Sequence, residues 1–444
     1  MTRFPPELMD SIFSFLQPDE NVDALRRFDK GIATLKRCSK DPILRRFAER
    51  HFYSNITVCN SVRVFPLEPH PGVFYNTVLA QLFSEQPHIA HYVCTLKIIV
   101  TRPDSLLEDI LSKVSRLESI TLSLYHKPAW DSLRASFRAA FVACIKSPRM
   151  KKVTLAHLKD FPLSLLDNCT IGNLTLKHVH FDSQLTFDSP SSHPVLDSLT
   201  LNNIRSDHRE FGAWAKRHIH RLRSLTFSSL FIPEPFTLSV LLLCSNTLTT
   251  LHLDFLESCT SPLSMSCHLI NACITGRSIY DVKEGKMTPS EECIQFSLSM
   301  LPHLQQLTIG MDMTLDHQTI IVYNYMRLKN FSALPTICHL LTTLPPSLTL
   351  LSLSLRIHCK SDCNAKVLST VDWEPLVDVL NSLYIPQIFL DVLVVYYRFH
   401  TTPSIRDDEI IPALCRESVG LSKLIERGTL VIKSFLENGN IEWA

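Results

Sequence analysis

Residue types that can do chemistry are present in this chain, but their spacing closes most routes to it. Fourteen cysteines occur, and none forms a C-x-x-C. The closest pair, Cys359 and Cys363 in His-Cys-Lys-Ser-Asp-Cys, has the composition of a metal site. Lone reduced thiols in a cytosolic or nuclear protein are the preferred reading. Nineteen histidines are scattered along the chain. His178 and His180 would share one face of a strand, because strand side chains alternate. His218 and His220 would not share a helix face. No acidic or cysteine partner has matching spacing, so both pairs read as surface or core histidines, and no metal is expected. Only ten glycines occur and no two lie within four residues of each other. A P-loop or dinucleotide fingerprint needs clustered glycines so that backbone can approach phosphate. There is no G-x-S-x-G and no H-E-x-x-H. The expectation is a protein without cofactor that is not an enzyme.

Charge excludes further classes. The net charge is +1 over 444 residues, which gives no global attraction to nucleic acid or membrane. Residues 22–50 are rich in Lys and Arg, among them Arg26, Arg27, Lys36, Arg37, Arg45 and Arg46. Without interleaved aromatic residues this stretch reads as a solvated helix face rather than a nucleic-acid patch. No apolar run approaches the ~18 residues of a membrane span. Pro5, Pro6, Glu7 and Asp10 interrupt any apolar core of a signal peptide. An intracellular protein is expected, with cytoplasm and nucleus not distinguished.

The elements that would position functional residues follow from a recurring pattern, apolar-x-x-apolar-x-apolar. It starts at Val93, Leu117, Met150, Ile171, Leu196, Leu222, Leu248, Leu304 and Leu348. Most intervals are near the ~20–29 residues of a leucine-rich repeat. The wide gap between Leu248 and Leu304 leaves room for one more copy or an insertion. In each copy the fourth and sixth positions point inward and the fifth points outward. Helical patterns lie between copies. Leu106, Leu107, Ile110, Leu111 and Val114 line one face; Trp130, Leu133, Phe137, Phe141 and Cys144 line the next; Phe211, Trp214, His218 and Leu222 line another. A repeated strand and helix gives an α/β solenoid, a parallel sheet lined by helices. The ninth repeat position, usually Asn or Cys in such repeats, holds Leu158, Val179, Ile204, Leu230 and Leu256. The solenoid is therefore expected to be irregular, with turns filled by apolar side chains.

The outward fifth position reads Lys97, Thr121, Thr154, Thr175, Thr200, Thr226, His252, Thr308 and Ser352. Thr154, Thr175, Thr200, Thr226 and His252 are candidates for binding a target protein on the concave face of the solenoid. Threonine is also simply a good solvent-facing strand residue. The row carries little charge, so a phosphate-rich ligand is not favoured there.

At the N-terminus, Pro5 and Pro6 suit a helix start. Leu8, Ile12, Phe13 and Phe15/Leu16 then give one apolar face. Such a helix docks either on its own chain or on a partner.

With helix and repeats together, the chain resembles an F-box protein with leucine-rich repeats. It is most similar to the large, divergent F-box family of mushroom-forming fungi. Phe4-Pro-Pro-Glu-Leu8-x-x-x-Ile12-x-x-x-Leu16 resembles the opening of the F-box, with Phe4 in place of Leu. Leu35-Lys-Arg-Cys38-Ser39 resembles its next helix, and His51-Phe-Tyr-Ser-Asn-Ile56-Thr-Val58 its closing segment. Asp372-Trp373 and Leu424-Ile-Glu-Arg-Gly-Thr-Leu430 fit the C-terminal part. The resemblance implies an F-box-like helical domain over residues 1–58, a connecting segment over 59–90 and a leucine-rich-repeat-like solenoid over 91–444. It implies the substrate-recognition adaptor of a Skp1–cullin–F-box ubiquitin ligase. Pro5, Pro6, Leu8, Ile12 and Leu16 would then face the Skp1-type adaptor, helix in groove, and the repeats would bind the target. The stretch Lys40–Arg46 lacks the family's tryptophan, and Glu20–Thr34 is longer than the usual connection. The alternative is a non-ligase repeat scaffold with a degenerate F-box.

Overall fold

The computed structural model describes residues 42–60, 72–181, 196–202, 204, 208–230, 235–256, 297–315, 334–359, 373–396 and 407–438. Pro5, Pro6, Leu8, Ile12, Leu16 and Cys363 lie outside the described residues. The chain is α/β and divides into two compact units, Met1–His218 and Ile219–Ala444.

The first unit contains α1 (Pro42–Ser54), β1 (Asn55–Cys59), β2 (Val73–Tyr75), α2 (Asn76–Glu85), α3 (Pro87–Ala90) and β3 (Thr95–Val100). It continues with α4 (Ser105–Lys113), β4 (Ser119–Leu124), α5 (Ala135–Ile145), β5 (Lys152–Phe161), β6 (Asn173–Phe181), β7 (Ser198–Asn202) and α6 (His208–His218). Neighbouring strands run parallel in the order β2-β1-β3-β4-β5-β6-β7. The expected boundary at residue 58 falls inside β1, which pairs with β3 from Asn55↔Thr95 to Cys59↔Ile99.

Strict alternation decides which side of each strand is covered. In β4, Ile120, Leu122 and Leu124 are buried while Ser119, Thr121 and Ser123 are not. The helices bring matching apolar faces. Leu107, Ile110 and Leu111 of α4 are buried, as are Phe137, Phe141 and Cys144 of α5. Asp104 caps α4, its carboxylate accepting the Leu107 N–H at 3.1 Å, which satisfies a donor the helix cannot use internally. Burial of one such Leu or Ile contributes roughly 1.5–3 kcal/mol. At the ninth repeat position Leu158 and Val179 are fully buried but lie inside β5 and β6 as register partners, so strands run on where apolar turns are expected.

One hydrogen-bond arrangement recurs from repeat to repeat and accompanies the register. The carbonyl of Cys94 accepts the N–H groups of both Glu118 and Ser119; that of Glu118 accepts Lys151 and Lys152. Lys151 then accepts Gly172 and Asn173, and Gly172 accepts Asp197 and Ser198. Each acceptor occupies the second position of the apolar-x-x-apolar-x-apolar pattern. Side-chain hydroxyls reinforce the step. Thr170 Oγ1 donates to the Met150 carbonyl at 3.2 Å.

The second unit contains β8 (Ser224–Leu230), α7 (Pro235–Cys244), β9 (Thr250–Leu256), β10 (Gln306–Leu315), α8 (Leu334–Thr342) and β11 (Leu350–Cys359). After these come α9 (Glu374–Ser382), β12 (Ile388–Tyr396), α10 (Asp407–Glu417), α11 (Val419–Glu426) and β13 (Leu430–Asn438). Its strands are parallel neighbours in sequence order, β8 to β13. The same carbonyl step returns at Arg223, Thr249 and Gln305. Thr247 and Ser347 hydroxyls donate to the carbonyls of Leu222 and Leu304 at 2.9 and 2.8 Å. β9 pairs directly with β10, Leu251 beside Leu307; the residues of the wide gap, 257–296, lie outside the described residues. Among the described residues no helix is long and apolar enough to cross a membrane.

Candidate functional site

The uncovered side of the strands brings the fifth repeat positions into rows. In the first unit Lys97, Thr121, Thr154, Thr175 and Thr200 are register partners from β3 to β7. Thr57 of β1 extends the row beside Lys97. In the second unit Thr226, His252, Thr308 and Ser352 align from β8 to β11, and Phe389 and Val431 continue the row on β12 and β13. The candidates Thr154, Thr175 and Thr200 are thus side by side in one unit, and Thr226 and His252 side by side in the other. Parallel strands ~4.8 Å apart make Thr121, Thr154, Thr175 and Thr200 an evenly spaced series of hydroxyls, able to offer hydrogen bonds to an extended partner.

The positions two residues on give the two units different chemistry. In the second unit Asp254, Gly310 and Ser354 are register partners. Gly310 has no side chain, and the space above it is taken by the Asp254 carboxylate, which accepts a hydrogen bond from Arg356 Nη2 at 2.5 Å. A Cβ at Gly310 would approach Asp254 Oδ1 within 2.4 Å, so glycine is what allows β9 and β11 to exchange an ion pair across β10. Asp254 is well covered, with 13% of its side chain exposed. His252 lies in this field. Burial pulls its pKa down, Asp254 opposes that, and Arg356 adds to it. Further along the row Asp391 stands beside Lys433.

In the first unit the corresponding outward residues include Ser123, Ala156, Lys177 and Asn202. Beyond them the chain turns through left-handed residues, His157 at φ 56° and His178 at φ 51°. Their rings stack at 4.7 Å with planes 11° apart. The left-handed conformation interrupts alternation between the buried Leu176 and Val179, so Lys177 and His178 in succession are left unburied. Burial holds His157 below the ordinary imidazole range, and Lys127 and Lys177 depress it further.

A second polar cluster in the first unit looks like catalytic machinery and is not placed for it. His218 Nε2 and Asp167 Oδ1 are 2.8 Å apart, with the imidazole stacked on Trp214 at 4.7 Å. Arg217 approaches the same carboxylate at 3.8 Å. The His218 side chain is 1% exposed, so a substrate does not reach the ring, and the pair instead ties α6 to the turn after Leu163–Leu166. Asp167 is remote in sequence from His218, which is why spacing gave no sign of it. Among the described residues no group of three His, Cys, Asp or Glu side chains could hold a metal ion.

The residues that sequence reasoning passed over are the lysines Lys152 and Lys177, the Asp254–Arg356 pair with Gly310 between, and the strands β1, β12 and β13. Two of those strands carried the repeat spacing, as Tyr53-x-x-Ile56-x-Val58 and Ile385-x-x-Ile388-x-Leu390. For β13 the first apolar position is Arg427 and the signal is missing.

No family model matches this chain, and no curated protein matches its sequence.

Proposed function

We propose that this chain is a recognition subunit that joins two proteins: an irregular leucine-rich-repeat solenoid bearing the target site, preceded by an F-box-like helical module that ends before β1. The module docks on a Skp1-type adaptor and through it on a cullin, so that the ligase chemistry takes place on other subunits. The observation that carries the reading is the row of outward residues, in register from strand to strand and accompanied by one repeated carbonyl step. Such a row is a surface for an extended partner, not a cleft for a small molecule. The F-box part rests on the spelling of the N-terminus, with Pro5, Pro6, Leu8, Ile12 and Leu16 as the adaptor-facing set.

The test is capture of a purified Skp1-type adaptor by the full chain. Wild type is expected to retain it. Leu8→Asp and Ile12→Asp are expected to lose it, since an unpaired carboxylate buried in a helix groove costs several kcal/mol. Wild type that captures nothing would leave a repeat scaffold without ligase role. Capture undiminished in both variants would overturn the residue assignment.

A further inference from the structure

We infer that the outward sheet face of the first unit is a docking surface for an extended acidic protein segment, gripped by Lys97, Lys152 and Lys177. This rests on the recognition role proposed above and specifies the chemistry of its target.

The charge pattern carries the inference. The outward positions of β1 and β3–β7 are otherwise Thr, Ser, Asn and small or apolar residues such as Ala156 and Ile99. Asp160, exposed beside Lys159 at the far end of β5, is the acid among them, while Lys97, Lys152 and Lys177 are all exposed. The neighbours of each lysine cannot neutralise it. Lys97 stands between Thr57 and Thr121, Lys152 between Ser119 and Asn173, and Lys177 between Ala156 and Asn202. The second unit is the opposite case: Asp254 pairs with Arg356, and Asp391 lies beside Lys433. A sheet face that balances its charges in one unit and carries an excess of cations in the other is complementary to a negative partner at the latter. The pKa of His157 at the end of the face is lowered first by burial and then by Lys127 and Lys177.

The geometry selects an extended segment. Strands ~4.8 Å apart with a rise of ~3.3 Å per residue place Lys97 and Lys152 about 12 Å apart, Lys152 and Lys177 about 14 Å, and Lys97 and Lys177 about 16 Å. One compact anion cannot bridge such distances. Carboxylates about four residues apart on an extended chain, ~13 Å, can bridge any two of the three, the third lysine adding to the positive field. Between the lysines, the Thr121, Thr154 and Thr175 row offers hydroxyls to the segment's backbone. No aromatic side chain interrupts the row, so base stacking, which single-stranded nucleic acid uses, has no platform there.

The experiment uses the full chain and a fluorescein-labelled Gly-Ser peptide with glutamates about four residues apart, followed by anisotropy at low ionic strength. The same peptide with lysines and a single-stranded oligonucleotide are the comparison probes. The acidic peptide is expected to bind, and to be released by salt as exposed charges are screened. Each Lys→Gln change is expected to weaken binding about two- to fivefold, and Lys97→Gln/Lys152→Gln/Lys177→Gln at least ~tenfold. The triple Lys→Arg variant should retain binding, and Lys216→Gln, exposed on α6, should leave it unchanged. Absence of acidic-peptide binding, equal binding by the triple Gln variant, or tighter binding of the oligonucleotide would each overturn the inference. Adaptor capture by the triple Gln variant separates the two readings. Capture retained with peptide binding lost supports both readings. Peptide binding retained in a chain that captures no adaptor removes the ligase role alone.

Discussion

Replacing Gly310 by alanine tests how the outward face of the second unit is built. Alanine is ordinarily better than glycine inside a strand by about 0.5–1 kcal/mol, because glycine loses more freedom on folding. Here its Cβ would lie 2.4 Å from Asp254 Oδ1 and 3.1 Å from Asp254 Cγ. The carboxylate must swing away and release Arg356. A charge-assisted hydrogen bond is worth about 1.5–3 kcal/mol, and the one-third exposure of Arg356 places this one at the lower end. The net expectation for Gly310→Ala is a loss of about 1 kcal/mol. In an Asp254→Ala background the obstruction is gone, and Arg356 Nη2 at 3.5 Å from the new Cβ is an ordinary contact. There the same change should stabilise by about 0.5–1 kcal/mol. The assay is urea unfolding of the four proteins in a double-mutant cycle. A change of sign between backgrounds, with a coupling of about 2 kcal/mol, is expected. The same effect of Gly310→Ala in both backgrounds would refute the idea that the glycine exists to let Asp254 and Arg356 meet.

Further outcomes follow from the same structure. Cys144 and Cys169 are buried with thiol pKa values raised to about 11, and Cys244 to about 12. Residue-resolved mass spectrometry after alkylation at pH 8 should find them unmodified in the folded protein and modified in denaturant; rapid native labelling would contradict this. Folding depresses the His157 pKa, so its neutral form is favoured in the folded state. Its contribution is complete above the unfolded value near ~6.5 and is lost as pH falls through 6.5 toward the lower folded value. Lys177→Gln should raise the His157 pKa in ring-proton NMR titration, and an unchanged value would show that the lysine does not act on it. Thr247→Val removes the hydroxyl that donates to Leu222 and should cost about 1 kcal/mol in thermal unfolding, whereas no shift would mean the inter-repeat staple is idle.

Much of the fold could be read from the sequence because it rests on alternation. Leu96 and Ile98, or Leu225 and Phe227, are inward simply by being two apart, and the structure buries all four. The ends were harder. At β13 the pattern loses its first apolar residue to Arg427, while the strand still forms because β12 offers a parallel edge from Ile388 to Tyr396. The row Thr154–Thr175–Thr200 was legible for the same reason as the core, since equal positions in equal repeats become neighbours. The face's charge was not. Lys152 and Lys177 sit one position pair before and after the threonines, and only the register shows that no carboxylate stands beside them. Long-range partners such as Asp254 with Arg356 and Asp167 with His218 leave no local trace, because the residues between them in sequence form whole repeats.

The most direct measurement of the joining role is light scattering on a column loaded with the full chain, a Skp1-type adaptor and a cullin. One peak containing all three is expected, reduced to a separate adaptor–cullin peak and free chain with Ile12→Asp. Elution of the wild-type chain alone, beside an adaptor–cullin complex, would contradict it.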